Sequence, residues 1–443
     1  MRSLRSVFCR CLGLLAMISN TLFIVEENAL AQSMKKTGEN SEKPLLVGYF
    51  PQWGIYNDPQ YLVKNLISSG GRPLVDQINY AQGFVTDGHC SVADPNADLN
   101  TSFTAVQSVN GKPDLPNQLF RGNLHQLWLL KRQFPHLRVL ISLEGKGADF
   151  AQDAQPENRE SFVRSCIDLF IRGDLAPGIR AAGLFDGIDV DWEYPHEEDA
   201  ANLVALLQEI RKQMDAVRPG LTLSIAAGHS PRMYEGTDMG VIGGLVDQVG
   251  LMMYDFIGPW SRTTGFIAPL LPTSGHRGGT VDGSISAYLE AGVPATKILM
   301  GVPFYGYGWR QVLADHDGLF QEGQSIRGDR PYSYIEGLVS KSGVYRDPDS
   351  AAPWLFDGDN FWTYEDPISI QRKADYALER GLGGLMIWEL GEDNPSATLL
   401  RAAHQALSAR RAVREASPAV STGGEGTTIA PSILGVQDAQ HMR

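Results

Sequence analysis

The chain has 443 residues, 43% of them hydrophobic and 20% charged, with a formal net charge of −13 and a sequence pI near 5.2. That balance is globular, and the length suffices for one large α/β domain carrying an insertion. The acidic excess excludes nucleic acid and anionic membrane surfaces as partners and is compatible with a neutral substrate.

Arg2, Arg5 and Arg10 lead into a mostly apolar stretch from Cys11 to Val25, and Ala29-Leu30-Ala31 offers a small-x-small cleavage site before Gln32. Residues 1–31 therefore read as a signal peptide, and the protein as secreted, extracellular or periplasmic. Past that segment no run approaches the roughly 20 apolar residues of a membrane span. The mature chain is expected to be a soluble monomer with no membrane contact. Cys9 and Cys11 leave with the signal. Cys166, on one helix face with Phe162, Leu169 and Phe170, reads as a buried apolar filler and not as half of a disulfide scaffold. Export nonetheless permits a bond between Cys90 and Cys166.

Polar residues 32–43 form a linker, and Leu45 to Phe50 is the first predicted strand, with a helix from Pro59 to Ile67. Asp76 to Val85 is the second strand. Residues 86–122, rich in Asp, Asn, Ser and Gly, are too long for a plain connector. A helix from Asn123 to Gln133 leads to the third strand, Arg138 to Leu143, and a further helix spans Pro156 to Arg172. After the fourth strand, Leu203, Leu206, Leu207, Ile210, Met214 and Val217 recur at helical spacing, and Arg218-Pro219-Gly220 ends that helix. Leu221 to Ala226, Gln248 to Tyr254, Lys297 to Phe304 and Gly384 to Leu390 complete the strands, with helices over 282–291, 367–380 and 395–409. Eight apolar strands alternating with helices predict a (β/α)8 TIM barrel over residues 44–408. Residues 311–364, with Tyr332, Tyr334, Tyr345, Trp354, Phe356, Phe361 and Trp362, read as a small α+β insertion walling a cleft. Residues 409–443 read as a disordered tail.

The fourth strand organises the rest. Leu184-Phe185-Asp186-Gly187-Ile188-Asp189-Val190-Asp191-Trp192-Glu193-Tyr194-Pro195 holds four carboxylates within eight residues. Alternation puts Gly187, Asp189, Asp191 and Glu193 on one face and Ile188, Val190 and Trp192 on the other. Carboxylates spaced about 6–7 Å apart along a strand raise one another's proton affinity and titrate together. Glu193 stands last, at the carboxyl end of its strand, where barrels bind ligands. A Glu that keeps its proton there is a general acid. The bland alternatives are a solvated acidic edge or a calcium or magnesium site. A calcium loop carries its ligands on a glycine-containing turn, so the alternating apolar strand favours catalysis.

The spacing Asp186-x-x-Asp189-x-Asp191-x-Glu193 resembles the active-site motif of glycoside hydrolase family 18, the chitinases and their relatives. Met252-Met253-Tyr254-Asp255 is similar to the family's Met-x-Tyr-Asp, and Trp388 ends the eighth strand where the family places a Trp under the cleaved sugar. The resemblance implies retaining hydrolysis assisted by the substrate's own N-acetyl group. Glu193 is the acid and base, Asp191 and Asp189 are its auxiliaries, and Tyr254 orients the acetamido oxygen. Asp186, Tyr49, Phe50, Met252, Asp255, Tyr305 and Trp388 are the implied substrate-binding residues. It implies no metal and no cofactor, with chitin or chitooligosaccharides as partners. The alternatives are an endo-β-N-acetylglucosaminidase acting on N-glycans and a non-catalytic lectin. Two departures stand out. Ser142-Leu143-Glu144-Gly145-Lys146 replaces Ser-x-Gly-Gly-Trp, with Lys146 expected to pair with Glu144 and to weaken binding on the non-reducing side. Tyr307 stands where many bacterial relatives have Arg.

Overall fold

The structure, a computed structural model, describes residues 43–67, 71–275 and 278–416. The signal-peptide and linker expectations fall outside these residues, except that the linker's last residue, Lys43, is described. The predicted tail falls largely outside them too.

Eight strands form the frame. They are β1 (Leu45–Pro51), β2 (Gln77–Thr86), β3 (Arg138–Gly145), β4 (Gly187–Asp191), β5 (Thr222–Ala227), β6 (Gln248–Leu251), β7 (Ile298–Pro303) and β8 (Gly384–Trp388). Each pairs in parallel with its neighbours in sequence, β8 pairs with β1, and β1 pairs with β2. The sheet is therefore a closed barrel, as expected of a (β/α)8 fold. Outward-facing Ile188, Val190 and Trp192 are buried in the layer between barrel and helices, with Phe150 stacked on Trp192 at 5.4 Å. The helix Ala200–Val217 covers them with Leu203, Leu206, Leu207, Ile210 and Met214, all buried as its spacing requires.

One βα unit departs from expectation. Pro59 to Ile67 holds only a short 3-10 turn, Val63–Leu66, where a helix is predicted. The segment after β2 folds back as a strand, His89–Val92, which pairs antiparallel with the end of β2. This hairpin brings Cys90 to Cys166 at the end of the helix Pro156–Cys166, and the two form a disulfide. Cys166 is thus both buried and bonded, which corrects its reading as a free apolar filler. The final helix, Thr398–Ala416, runs past the predicted boundary at residue 408.

The insertion begins earlier than expected. Its first strand, Tyr305–Arg310, starts two residues after β7 and pairs with Gln324–Ser325, Arg330–Pro331 and Phe361–Thr363. Pro353–Phe356 and Gly343–Arg346 complete an antiparallel sheet. Trp354, Phe356 and Phe361 pack with Trp309 and Phe266 in a second buried cluster that also holds Tyr254, Tyr305 and Tyr307, and Trp362 joins the main core. Trp354, Phe356, Phe361 and Trp362 are buried, so they form the interior of the insertion, because a sheet of this size needs an apolar centre. The cleft-facing residues come from the first strand instead.

Candidate active site

One side of the barrel lumen is polar, and the other is filled by Val47, Leu299 and Met386. Gln77 and Gln248 exchange amide hydrogen bonds of 2.9 and 3.0 Å at the lower level. One level up, the ladders set Asp189 beside Ser142 on β3 and beside Ser224 on β5. Both serine hydroxyls donate to the Asp189 carboxylate, and Tyr49 donates from across the barrel at 2.6 Å. Gly187 makes the strand contact possible. A Cβ there would lie 1.9 Å from the Thr222 carbonyl oxygen. Asp189 is 1% exposed, and burial raises its proton affinity although these hydroxyls oppose the shift.

Asp191 is the next lumen residue, 6% exposed, and its Oδ1 has no hydrogen-bond partner. Burial, then the charges of Glu193, Asp189 and Glu144, push its carboxyl well above the usual range. Glu193 reaches the mouth and is accessible to solvent. The walls still strip enough water from it to raise its proton affinity. A hydrogen bond with Tyr194 opposes this rise, and the charge of Asp255 adds to it. No Lys or Arg pairs with Asp189, Asp191 or Glu193 among the described residues. The cluster therefore keeps protons at pH values where isolated carboxylates are ionised.

The opposite wall comes from β6 and the insertion. Tyr254 is buried, with its ring edge-on to Tyr305 and its hydroxyl in the field of Asp191. Tyr305 and Tyr307 donate to Asp255 at 2.6 and 3.1 Å. Tyr307 thus has a defined partner in the cleft wall. Trp388 lies half-buried, 5.3 Å from the Tyr49 ring and 6.4 Å from Trp53, and Met252 packs against the same group. An indole face packed on Tyr49, whose hydroxyl holds Asp189, suits the apolar face of a sugar.

Two expected binding residues lie elsewhere. Phe50 follows Tyr49 on β1, so it faces the opposite way and packs fully buried against Tyr80 and Tyr61. Asp186 sits at the base of β4, bonded to Lys131 at 2.6 Å and the Val139 amide at 3.0 Å, with Arg218 at 3.6 Å. It fastens the strand and does not reach the cleft. The pairing expected between Lys146 and Glu144 is also absent. Lys146 is exposed, and among the described residues no ion pair joins the two.

Several residues were not singled out from the sequence. Ser224 stands at a lumen position of an apolar strand, and that placement was the available signal. Tyr194 directly after Glu193 gave no such signal, because its bond depends on the turn. Exposed Trp53 and Trp260 flank the cleft, Trp53 beside Trp388 and Trp260 edge-on to Tyr307. Nothing in the spacing of these two tryptophans marks them.

Comparison with known proteins bears on this geometry. The family described as Glycosyl hydrolases family 18 matches residues 45–393. Chitinase C of Streptomyces lividans is 32% identical over 365 residues, which cover 78% of this chain and 57% of that protein. Chitinase 63 of Streptomyces plicatus is 31% identical over 390 residues, covering 84% and 62%. The chain thus spans less than two thirds of the length of either relative. The catalytic domain of the psychrophilic chitinase B from Arthrobacter TAD20 matches with a TM-score of 0.76 at 29% identity, over 84% of this chain and 96% of that one. A family 18 N-acetylglucosaminidase from Paenibacillus barengoltzii matches at 0.66 and 27%, over 82% and 99%.

Proposed function

This chain belongs to glycosyl hydrolase family 18, and from that membership we propose that it is a chitinase, cleaving β-1,4-linked N-acetylglucosamine in chitin or chitooligosaccharides with retention of configuration. The observation that carries the reading is the buried, unpartnered Oδ1 of Asp191, two residues from Glu193 and in the field of the Tyr254 hydroxyl. A buried carboxylate oxygen with no donor is costly, and rotation of the Asp191 carboxyl toward the cleft lets a substrate amide N–H satisfy it.

The chemistry follows from that fit. Glu193, protonated, gives its proton to the glycosidic oxygen as the C1–O bond breaks. The acetamido carbonyl oxygen attacks C1, its N–H held by Asp191 and its oxygen placed by Tyr254, and a cyclic oxazolinium forms. No protein carboxylate attacks, which is the family's known exception to two-carboxylate hydrolysis. Asp189, held by three hydroxyls, keeps Asp191 in position. Glu193, now a carboxylate, takes a proton from water as that water opens the ring on the same face.

The protein is proposed to act after export. The Cys90–Cys166 bond supports this, because such bonds persist in oxidising compartments. One solved relative is called a chitinase and another an N-acetylglucosaminidase, so product length is the measurement to make first. Incubation with chitohexaose should release shorter acetylated oligomers whose initial products carry the β-anomer. Release of glycans from a high-mannose glycoprotein without cleavage of chitohexaose would overturn the reading.

A further inference from the structure

We infer that Glu144 is a specificity residue, through which the cleft prefers chains whose cleaved acetylated sugar has a de-N-acetylated 2-amino sugar as neighbour. The inference rests on the hydrolysis proposed above and names the polymer that site favours.

Ser142 on β3 turns its hydroxyl to Asp189 in the lumen, and alternation turns Glu144 to the same side. The ladder sets Glu144 directly opposite Asp191. Gly145 fixes this end of the strand against β2, since a Cβ there would lie 2.9 Å from both Cβ and the carbonyl oxygen of Val85. The Glu144 carboxylate is half-buried, and no described side chain gives it a hydrogen bond or an ion pair. Burial and the charge of Glu193 raise its proton affinity. Beside it on the ladder lies Asp191, more than nine-tenths buried, with one oxygen unpartnered and with the Glu144 charge among those acting on it. On the far wall, Asp255 adds negative charge to Glu193.

A neutral sugar chain laid over Glu144 removes more water from a carboxylate that has no cation, which disfavours binding. A chain carrying an ammonium at the 2-position of the neighbouring sugar supplies the missing cation in a charge-assisted hydrogen bond. The cleaved sugar itself must keep its acetyl group, because that group is the nucleophile. The favoured substrate is therefore a mixed polymer, partly de-N-acetylated.

The test compares fully acetylated chitohexaose with a partly de-N-acetylated chitin oligomer pool of the same length, using the full chain. Glu144→Gln, which keeps shape and loses charge, should lower the ratio of kcat/KM on the mixed pool to that on chitohexaose about tenfold, the scale of one charge-assisted hydrogen bond. Sequencing of wild-type products should show 2-amino units enriched next to the cleaved acetylated unit, and the variant should lose that enrichment. In the wild type, raising salt to about 0.5 M should slow cleavage of the mixed pool and spare chitohexaose. This measurement stands even if the variant fails to fold. An equal effect of substitution and of salt on both substrates would mean that Glu144 serves a sugar hydroxyl, and would overturn the inference while leaving the hydrolase reading intact. Failure to cleave either substrate would overturn the hydrolase reading itself.

Discussion

The two ends of β4 carry carboxylates with opposite environments. At the base, Asp186 meets Lys131, Arg218 and the Val139 amide. At the mouth, Asp189, Asp191 and Glu193 meet hydroxyls and one another, with no Lys or Arg among the described residues. The base resembles a second structural site, where Lys373 and Glu365 pair at 2.5 Å, each 2% exposed. At these two structural sites a cation settles the carboxylate's charge. Where the charge is left unsettled, the proton becomes available for chemistry, which is why displaced proton affinities gather at functional sites.

The largest expected effect tests the mouth. Glu193→Gln should lower kcat on chitohexaose by about 10²–10⁴-fold, the range lost with a general acid, while oligosaccharide binding measured by calorimetry persists. The raised proton affinity of Glu193 also places the alkaline limb of the wild-type kcat profile above the usual carboxylate range. A variant retaining more than about a tenth of wild-type kcat would move the acid elsewhere.

A carboxylate without a cation also occurs outside the cleft, and it separates burial from catalysis. Asp98 is 1% exposed and among the described residues accepts hydrogen bonds from Tyr80, Gln52 and the Asp94 backbone, and burial pushes its pKa up to about 7. The folded state therefore holds a proton that the unfolded chain, titrating near 3.8, releases earlier. The stability this provides is complete below pH 3.8 and is lost as pH rises through 7. Asp98→Asn cannot titrate. Between pH 4 and pH 8 the denaturation free energy of the variant should gain on the wild type by about 1–3 kcal/mol. A pH-independent difference would show that Asp98 is ionised throughout. The rate on chitohexaose should not follow this titration.

The sequence carried the barrel, and most of the cleft, because alternation and helical spacing report which face is buried. It failed where one feature depended on contacts distant in the chain. The Cys90–Cys166 bond needs the hairpin after β2, and hairpin formation there is set by pairing with β2. The insertion's aromatics read as a cleft wall because an aromatic-rich segment looks the same whether it packs inward or outward. Phe50 and Asp186 are different cases. Tyr49 and Phe50 are adjacent on a strand, so only one can face the lumen. Asp186 is out of phase with Asp189, Asp191 and Glu193, and the resemblance alone drew it into the site.

The smallest expected effect bears on that assignment directly. Asp186→Asn keeps an acceptor for the Val139 amide and removes the charge facing Lys131 and Arg218. Lys131 is not stranded, because it also donates to the carbonyls of Gly183 and Leu184 at 2.8 and 3.0 Å. The loss of stability should therefore be modest, about 0.5–1.5 kcal/mol by denaturant unfolding, since the pair is only partly buried. The change lies at the far end of the strand from Glu193, and β4 stays clamped by its ladders to β3 and β5. The kcat on chitohexaose should then stay within about twofold of wild type, because this substitution removes no group that meets the substrate. Unchanged stability with a tenfold drop in kcat would reverse the comparison and make the base of the strand part of the catalytic machinery.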